Sequence, residues 1–358
     1  MNSNASITTI ALDAMGGDQG PTPNVAGAVQ ATTANPVRII LVGDEKLLKQ
    51  ELKQHHYKDD VIEVVHAAEN IGMDELPKEA VEKKTDASVL VAAKLVQEGK
   101  ADALVSAGST GSVVLSAAKY IPRIQGVRRT AIATVYPTMN EFKKDDHLAL
   151  MVDVGANVHC GPEELVQFAI MGARYVGTVR SVDNPTVALL NIGEEESKGG
   201  EIMQTAFQLL KQTPHLNFIG NIEGKDILRG VVDVIVSEGF VGNIVIKTLE
   251  GAAHAVGALS KMAFKQKFIW KLGLLMLRKG LSMLREVTDY SEYGGAPLLG
   301  FDKMVIIAHG RSSGKAISNA IKVAGKCIRD DVCGEIARNI HDFETQPELE
   351  FQRLRQDI

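Results

Sequence analysis

The sequence predicts an α/β protein, a mainly parallel sheet flanked by helices in a Rossmann-like plan. Three observations carry this. Short apolar runs recur along the 358-residue chain. Each run is continuously hydrophobic instead of alternating, as expected for strands covered on both faces. Each is followed by a glycine-bearing turn and a segment of helical character, the rhythm of repeated βα units.

In chain order the strand-like runs are Ile7 to Leu12, Val37 to Val42, Ala103 to Val105, Ile132 to Val135, Leu148 to Val152, Thr186 to Leu190, Val231 to Val236 and Met304 to Ala308. Ligands of such folds gather at the carboxyl ends of the strands, so the loops that follow the runs matter most. They read Asp13-Ala-Met-Gly-Gly-Asp18, Ser106-Ala-Gly-Ser-Thr-Gly111, Asp153-Val-Gly-Ala-Asn157, Asn191-Ile-Gly-Glu-Glu-Glu-Ser-Lys-Gly199, Ser237-Glu-Gly-Phe-Val-Gly-Asn243 and His309-Gly-Arg-Ser-Ser-Gly-Lys315. All six are expected to share one topological position. The rhythm breaks at Lys261 to Arg285, and the tail from Asp330 onward reads as a charged terminal helix with a frayed end. No repeat or low-complexity linker divides the chain. One α/β domain is therefore expected over 1–340, including a distinct segment at 261–289, with a charged tail at 341–358.

Composition narrows the function. With 45% hydrophobic and 23% charged residues the chain can bury a large core. A net charge of −5 argues against nucleic-acid binding, which depends on surplus Lys and Arg to neutralise phosphates. Cys160, Cys327 and Cys333 are odd in number and lack C-x-x-C spacing, which suits reduced cytoplasmic thiols better than disulfides or a zinc site. Residues 1–9 are polar, without a basic region and long apolar core, so no export is expected.

Absent motifs exclude further classes. The G-x-G-x-x-G fingerprint, a G-x-S-x-G elbow and H-E-x-x-H spacing are all missing, and neither a metal nor a cofactor is expected. Gly310-Arg-Ser-Ser-Gly314 is not a Walker loop, because Ala316 stands where the metal-binding hydroxyl belongs.

Gly108, Ser109, Thr110 and Gly111 follow a strand and open a helix, so their amides and hydroxyls suit an anion such as phosphate at the positive end of the helix dipole. The same residues also read as a tight turn with a hydroxyl N-cap, and the sequence leaves both open. Gly310, Arg311, Ser312 and Ser313 add a guanidinium that can grip phosphate in a bidentate way. Lys198 lies between a strand and a helix, either as a cation for a ligand or as part of a solvated charge run. Asn243 is either an amide donor to a developing oxyanion or an N-cap.

Lys261 to Arg285 holds seven basic residues and no acidic one. At about 100° per residue, Lys267, Lys271, Arg278 and Arg285 fall within an arc of roughly 40°, with apolar residues over much of the remainder. Its apolar stretches are far below the roughly 20 residues that span a bilayer, so an interfacial position with Trp270 near the headgroups is expected. A core helix or a dimer seam is the competing reading. The lack of acidic residues favours an anionic membrane surface or an acidic carrier protein.

Ala11-Leu-Asp-Ala-Met-Gly-Gly-Asp18, Lys84-Thr-Asp-Ala-Ser88, Ala107-Gly-Ser-Thr-Gly111, Asn191-Ile-Gly-Glu-Glu195, Gly239-Phe-Val-Gly-Asn243, Tyr293-Gly-Gly-Ala-Pro-Leu-Leu-Gly300 and His309-Gly-Arg-Ser-Ser313 together resemble the PlsX family of bacterial phosphate acyltransferases. The likeness runs from about Ile7 to Arg338, and the order of the motifs makes it specific. It implies transfer of an acyl group from acyl carrier protein to inorganic phosphate, and a fold related to isopropylmalate dehydrogenases and phosphotransacetylases. It further implies a homodimer, attachment to the inner face of the cytoplasmic membrane, and a membrane glycerol-3-phosphate acyltransferase as consumer of the product. By the same resemblance Lys198 and Asn243 are the catalytic residues. Lys267, Phe268, Trp270, Lys271, Leu274, Leu275 and Arg278 are the membrane-contacting ones. Two rivals stand beside it: a coenzyme A-dependent phosphotransacylase, which has no need of the cationic segment, and a non-catalytic lipid-binding scaffold, which leaves the loops unexplained.

Overall fold

The computed structural model describes residues 7–58, 60–139, 146–265 and 294–344. The first half of the chain gives β1 (Thr8–Asp13), α1 (Pro21–Ala34), β2 (Val37–Gly43), α2 (Glu45–Leu52), β3 (Ile62–His66), α3 (Pro77–Lys83), α4 (Ser88–Gln97), β4 (Ala103–Ser106), α5 (Thr110–Tyr120) and β5 (Ala131–Pro137). There follow β6 (Leu148–Val152), α6 (Pro162–Arg180), β7 (Thr186–Leu190), α7 (Gly200–Gln212), β8 (Asn217–Ile222), a 3-10 turn (Gly224–Arg229), β9 (Val234–Val236) and α8 (Gly239–Lys265). The chain closes with β10 (Ala296–Leu299), β11 (Met304–Ile307), α9 (Gly314–Arg329) and α10 (Val332–Glu344).

The eleven strands among the described residues join one sheet in the order β3-β2-β1-β4-β11-β10-β5-β6-β9-β7-β8. Helices cover both faces, which explains why the strands are continuously apolar. Ile10, Leu12, Leu41 and Ile306 face one core with Phe168, Met171 and Ile317. Their strand neighbours Ala11, Ile40, Val42 and Val305 face the other with Leu90 and Ile235. Adjacent residues thus serve opposite cores, as the pleat requires. All eight expected runs are strands, although the Val231 to Val236 run shortens to β9. Ahead of it, the Asp233 carboxylate accepts from Thr186 N and Oγ1, both at 2.8 Å.

The sheet is mainly parallel, with three antiparallel pairings among the described strands: β11 with β10, β10 with β5, and β5 with β6. These reverse the polarity. β3, β2, β1, β4, β11 and β5 run one way, and β10, β6, β9, β7 and β8 run the other. The carboxyl ends of β1, β4 and β11 consequently lie at one edge of the sheet and those of β6, β7 and β9 at the opposite edge.

The helix expected from Asp330 is α10, which buries Val332, Ile336 and Ile340. Most of the 261–289 segment and the tail from 345 lie outside the described residues. Among the described residues no helix is long and apolar enough to cross a membrane.

Candidate active site

Asp13 ends β1 and is 2% exposed. Its carboxylate accepts from Ser88 Oγ and Ser106 Oγ, each at 2.6 Å, which ties the loop after β1 to the start of α4 and the end of β4. Burial pushes the Asp13 carboxyl above its ordinary range, while the two hydroxyls and the Met15 and Gly16 amides pull the other way. Ser106 Oγ also accepts from Gly108 N at 3.0 Å, and Asp18 N donates to Gly310 O at 2.7 Å. The loops after β1, β4 and β11 are therefore interlocked.

Gly17 makes the interlock possible. Its φ of +100° and a Cβ position only 3.0 Å from Gly310 O both demand glycine. Gly17→Ala is expected to cost roughly 1–3 kcal/mol of stability in urea unfolding, the range for forcing a side chain into such backbone, and to raise KM for phosphate.

On this platform α5 and α9 start side by side, since β4 and β11 are paired. Ser109 Oγ accepts from Ser112 N at 3.4 Å, and Ser313 Oγ accepts from Ala316 N at 3.3 Å. Both serines thus cap their helices, as one of the two sequence readings holds. Capping does not remove the positive end of either helix dipole from this edge. Thr110 is exposed, whereas Ser312 is 9% exposed and donates its amide to His309 O at 2.8 Å. The Arg311 side chain is 80% exposed, with Nε 3.5 Å from Asp18 Oδ2. An anion seated here would meet two helix starts and a guanidinium, with the Asp18 carboxylate beside the guanidinium and Asp13 buried beneath the loops. Beside it runs an apolar lip: Met73 Cε lies against Gly310, Pro77 lies against Gly111, and Leu76 is 67% exposed.

The other edge repeats the device. Asp153 directly follows β6 with no exposure and accepts from Ala156 N at 2.8 Å, Gly155 N at 3.1 Å and Asn157 N at 3.0 Å. Burial pushes its carboxyl up, and these amides and the Asn157 side chain oppose the shift. Ser237 Oγ donates to Asp153 O at 3.0 Å, and Asn157 Nδ2 donates to Thr130 O at 2.8 Å. Asn243 sits in the second turn of α8, so it is not an N-cap; its Nδ2 donates to Val154 O at 3.0 Å. One amide hydrogen is used there, and the second is the one a ligand would meet.

Lys198 lies in the loop between β7 and α7. Asn191 Nδ2 donates to its carbonyl at 3.2 Å, and Asn221 Nδ2 donates to Glu195 O at 3.0 Å, so the loop is fixed from the sheet. The Lys198 side chain is 45% exposed, with Nζ 4.0 Å from Glu195 Oε2. Because β7 and β9 are paired in parallel, Lys198 and Asn243 share an edge.

The expectation of one shared position for six loops is corrected here. Three loops build the candidate anion cradle, and the three that carry or hold Lys198 and Asn243 stand at the opposite strand ends. Four strand steps separate β11 from β9, about 19 Å at the usual ~4.8 Å spacing. Strand polarity depends on the antiparallel insertion of β10 and β5, which the hydrophobic runs do not reveal. Sequence reasoning also missed Asp13, Asp153, Ser88, Ser106 and Asn157 as supports. The signal was present as an aspartate closing an apolar run just before a glycine turn. Lys267, Phe268, Trp270, Lys271, Leu274, Leu275 and Arg278 lie outside the described residues. Burial pushes the thiols of Cys160, Cys327 and Cys333 up to about 12, which leaves no thiolate among them at neutral pH.

Residues 8–335 match the family described as fatty acid synthesis protein. The chain is 46% identical over 333 residues to a phosphate acyltransferase of Dictyoglomus turgidum, covering 93% of this chain and 97% of that one. It is 45% identical over 340 residues to a phosphate acyltransferase of Desulfitobacterium hafniense strain Y51, covering 95% and 99%. Among solved structures, a phosphotransacetylase from Streptococcus pyogenes aligns at a TM-score of 0.60 and 18% identity over 91% of this chain and 95% of that one. A branched-chain phosphotransacylase from Enterococcus faecalis V583 aligns at 0.55 and 13% over 89% and 98%. These two likenesses speak for the fold.

Proposed function

Since the chain belongs to the PlsX family of phosphate acyltransferases, we propose that it transfers a fatty-acyl group from the thioester of acyl carrier protein to inorganic phosphate. The observation that carries this is the interlocked cradle, where α5 and α9 begin side by side under Arg311. A phosphate oxygen attacks the thioester carbonyl carbon, a tetrahedral oxyanion forms, and the carbon–sulfur bond breaks. Acyl phosphate and the carrier thiolate result, and the thiolate takes up a proton. Phosphate is substantially dianionic near neutral pH, so no strong general base is needed. Positioning and oxyanion stabilisation suffice, with the cradle holding phosphate and Lys198 and Asn243 facing the developing charge. The apolar lip at Met73 to Pro77 gives the pantetheine arm or the acyl chain a surface beside the cradle.

The protein acts as a homodimer on the inner face of the cell membrane and hands acyl phosphate to a membrane glycerol-3-phosphate acyltransferase. Support comes from the uncompensated basic charge of Lys261 to Arg285. Leu274→Asp with Leu275→Asp is expected to abolish co-sedimentation with anionic vesicles while far-ultraviolet circular dichroism stays unchanged; undiminished sedimentation would sink the membrane assignment. The carrier is tested by comparing palmitoyl-carrier protein with palmitoyl- and acetyl-coenzyme A. Preference for the carrier thioester supports the reading, and turnover of a coenzyme A ester alone replaces it with the phosphotransacylase.

A further inference from the structure

We propose that Lys84 is a positioning residue of acyl transfer: it braces the loop of residues 67–76 so that Met73 and Leu76 form an apolar wall along which the acyl chain of the thioester lies. The inference rests on the reading above and deepens it, because it names both the part of the substrate that meets this wall and the residue that keeps the wall in place.

Within Lys84-Thr-Asp-Ala-Ser88, Ser88 reaches the cradle through its bond to Asp13. The rest of the motif grips the loop that follows β3. Ser88 N donates to Glu69 O at 3.0 Å and Glu69 N to Asp86 O at 3.2 Å, a short parallel bridge between loop and motif. The Asp86 carboxylate accepts from Ala68 N at 2.8 Å. Lys84 directly follows α3, where its amide donates to Ala80 O at 2.9 Å. Its side chain reaches back to the segment that precedes the helix. Nζ donates to Asn70 O at 2.8 Å and to Glu75 Oε1 at 2.7 Å, and the same Glu75 oxygen accepts from Gly72 N at 2.6 Å. One ammonium therefore ties residues 70, 72 and 75 to the end of α3. An ammonium whose hydrogens are spent in this way is a brace for the loop and not a ligand for phosphate.

The braced segment lies directly on the cradle. Met73 Cε sits against Gly310 and Pro77 against Gly111, so it borders both glycine turns. Ile71, 7% exposed, roots it in the same core as Val81 and Leu90. Met73 and Leu76 remain open to solvent, while Asp74 between them and Lys78 beyond them are exposed charges. The carbonyl carbon of the thioester must come within bonding distance of a phosphate oxygen in the cradle, so the chain attached to it passes the residues that border the cradle. A thioether and an isobutyl group give no strong hydrogen bond to the amides of a pantetheine arm, but they do shield methylenes from water. The acyl chain is the part of the substrate that gains from this wall, and the wall stands where it does because Lys84 holds it.

Two experiments test this. Lys84→Ala is expected to lower the ratio of kcat/KM for palmitoyl-carrier protein over butyryl-carrier protein by roughly tenfold, the lower end of what a lost apolar contact does to discrimination. Lys84→Arg, which keeps a charged donor for Glu75, is expected to restore most of the ratio. Lys84→Ala with Glu75→Ala should be no worse than either change alone, because the two side chains form one brace. Leu76→Ser should lower the ratio in the same direction, and at 67% exposure it does not threaten folding. A lysine that served stability alone would depress both substrates alike, so an unchanged ratio in Lys84→Ala or in Leu76→Ser overturns the proposal. Independently of turnover, a fatty-acyl chain bearing a diazirine, loaded on carrier protein and irradiated, is expected to label the tryptic peptide of residues 59–78, which holds Met73 and Leu76. Labelling confined to other peptides overturns it as well. A wild-type chain that forms no acyl phosphate from either thioester removes instead the reading on which the proposal rests.

Discussion

Lys198→Ala is expected to lower kcat for acyl phosphate formation by a factor on the order of 100 or more, the loss seen when an oxyanion-stabilising group is removed. KM for phosphate should move far less, because the cradle proposed to hold phosphate lies at the other strand ends and keeps Arg311 and both helix starts. Stability should stay within about 0.5 kcal/mol of wild type. The ion pair that Lys198 makes with Glu195 is long and exposed, and such pairs contribute little. Steady-state kinetics alongside urea unfolding separates these quantities. A near-normal kcat would take Lys198 out of the mechanism.

Gly242→Ala is expected to cost stability and activity together. A Cβ there would sit 2.0 Å from Asp153 O and 2.6 Å from Ser237 Oγ. Neither can yield cheaply, since the carbonyl belongs to the loop that Asp153 itself pins and Ser237 Oγ donates to that carbonyl. The first turn of α8 must lift away, and Asn243 then loses Val154 O. Overpacking of this kind costs typically 1–3 kcal/mol, occasionally more, so a fall of at least that size in urea unfolding is expected with loss of turnover. Asn243→Ala should lose turnover with little change in stability. A Gly242→Ala protein of wild-type stability and rate would show that the contact between α8 and the 153–157 loop is dispensable.

Much of this was legible in the sequence, for reasons that the structure makes plain. The central strands are covered on both faces, so Ile10 to Leu12 or Val305 to Ile307 announce themselves as unbroken apolar runs. The strands that escaped notice lack that cover or that length. β3 and β8 are the sheet's edges, with polar positions such as Glu63 and Asn217, and β10 is four residues long with Pro297 inside it. That short strand matters most, because together with β5 it reverses the sheet and divides the glycine loops between two edges. A loop's place after a strand can be read from the sequence, but the direction of the strand depends on pairings between residues far apart, such as Leu298 with Ile132. For the same reason Asp13 and Asp153 looked like loop residues, although each is a buried post that holds the loop in place.

We propose that phosphate itself attacks the carrier thioester. It is tested most directly by following palmitoyl-carrier protein and inorganic phosphate by phosphorus NMR while titrating the released carrier thiol. An acyl phosphate resonance is expected to grow one-for-one with free thiol, with neither signal when phosphate is omitted. Thiol release without phosphate, accompanied by free fatty acid, would make the protein a thioesterase and rule out attack by phosphate.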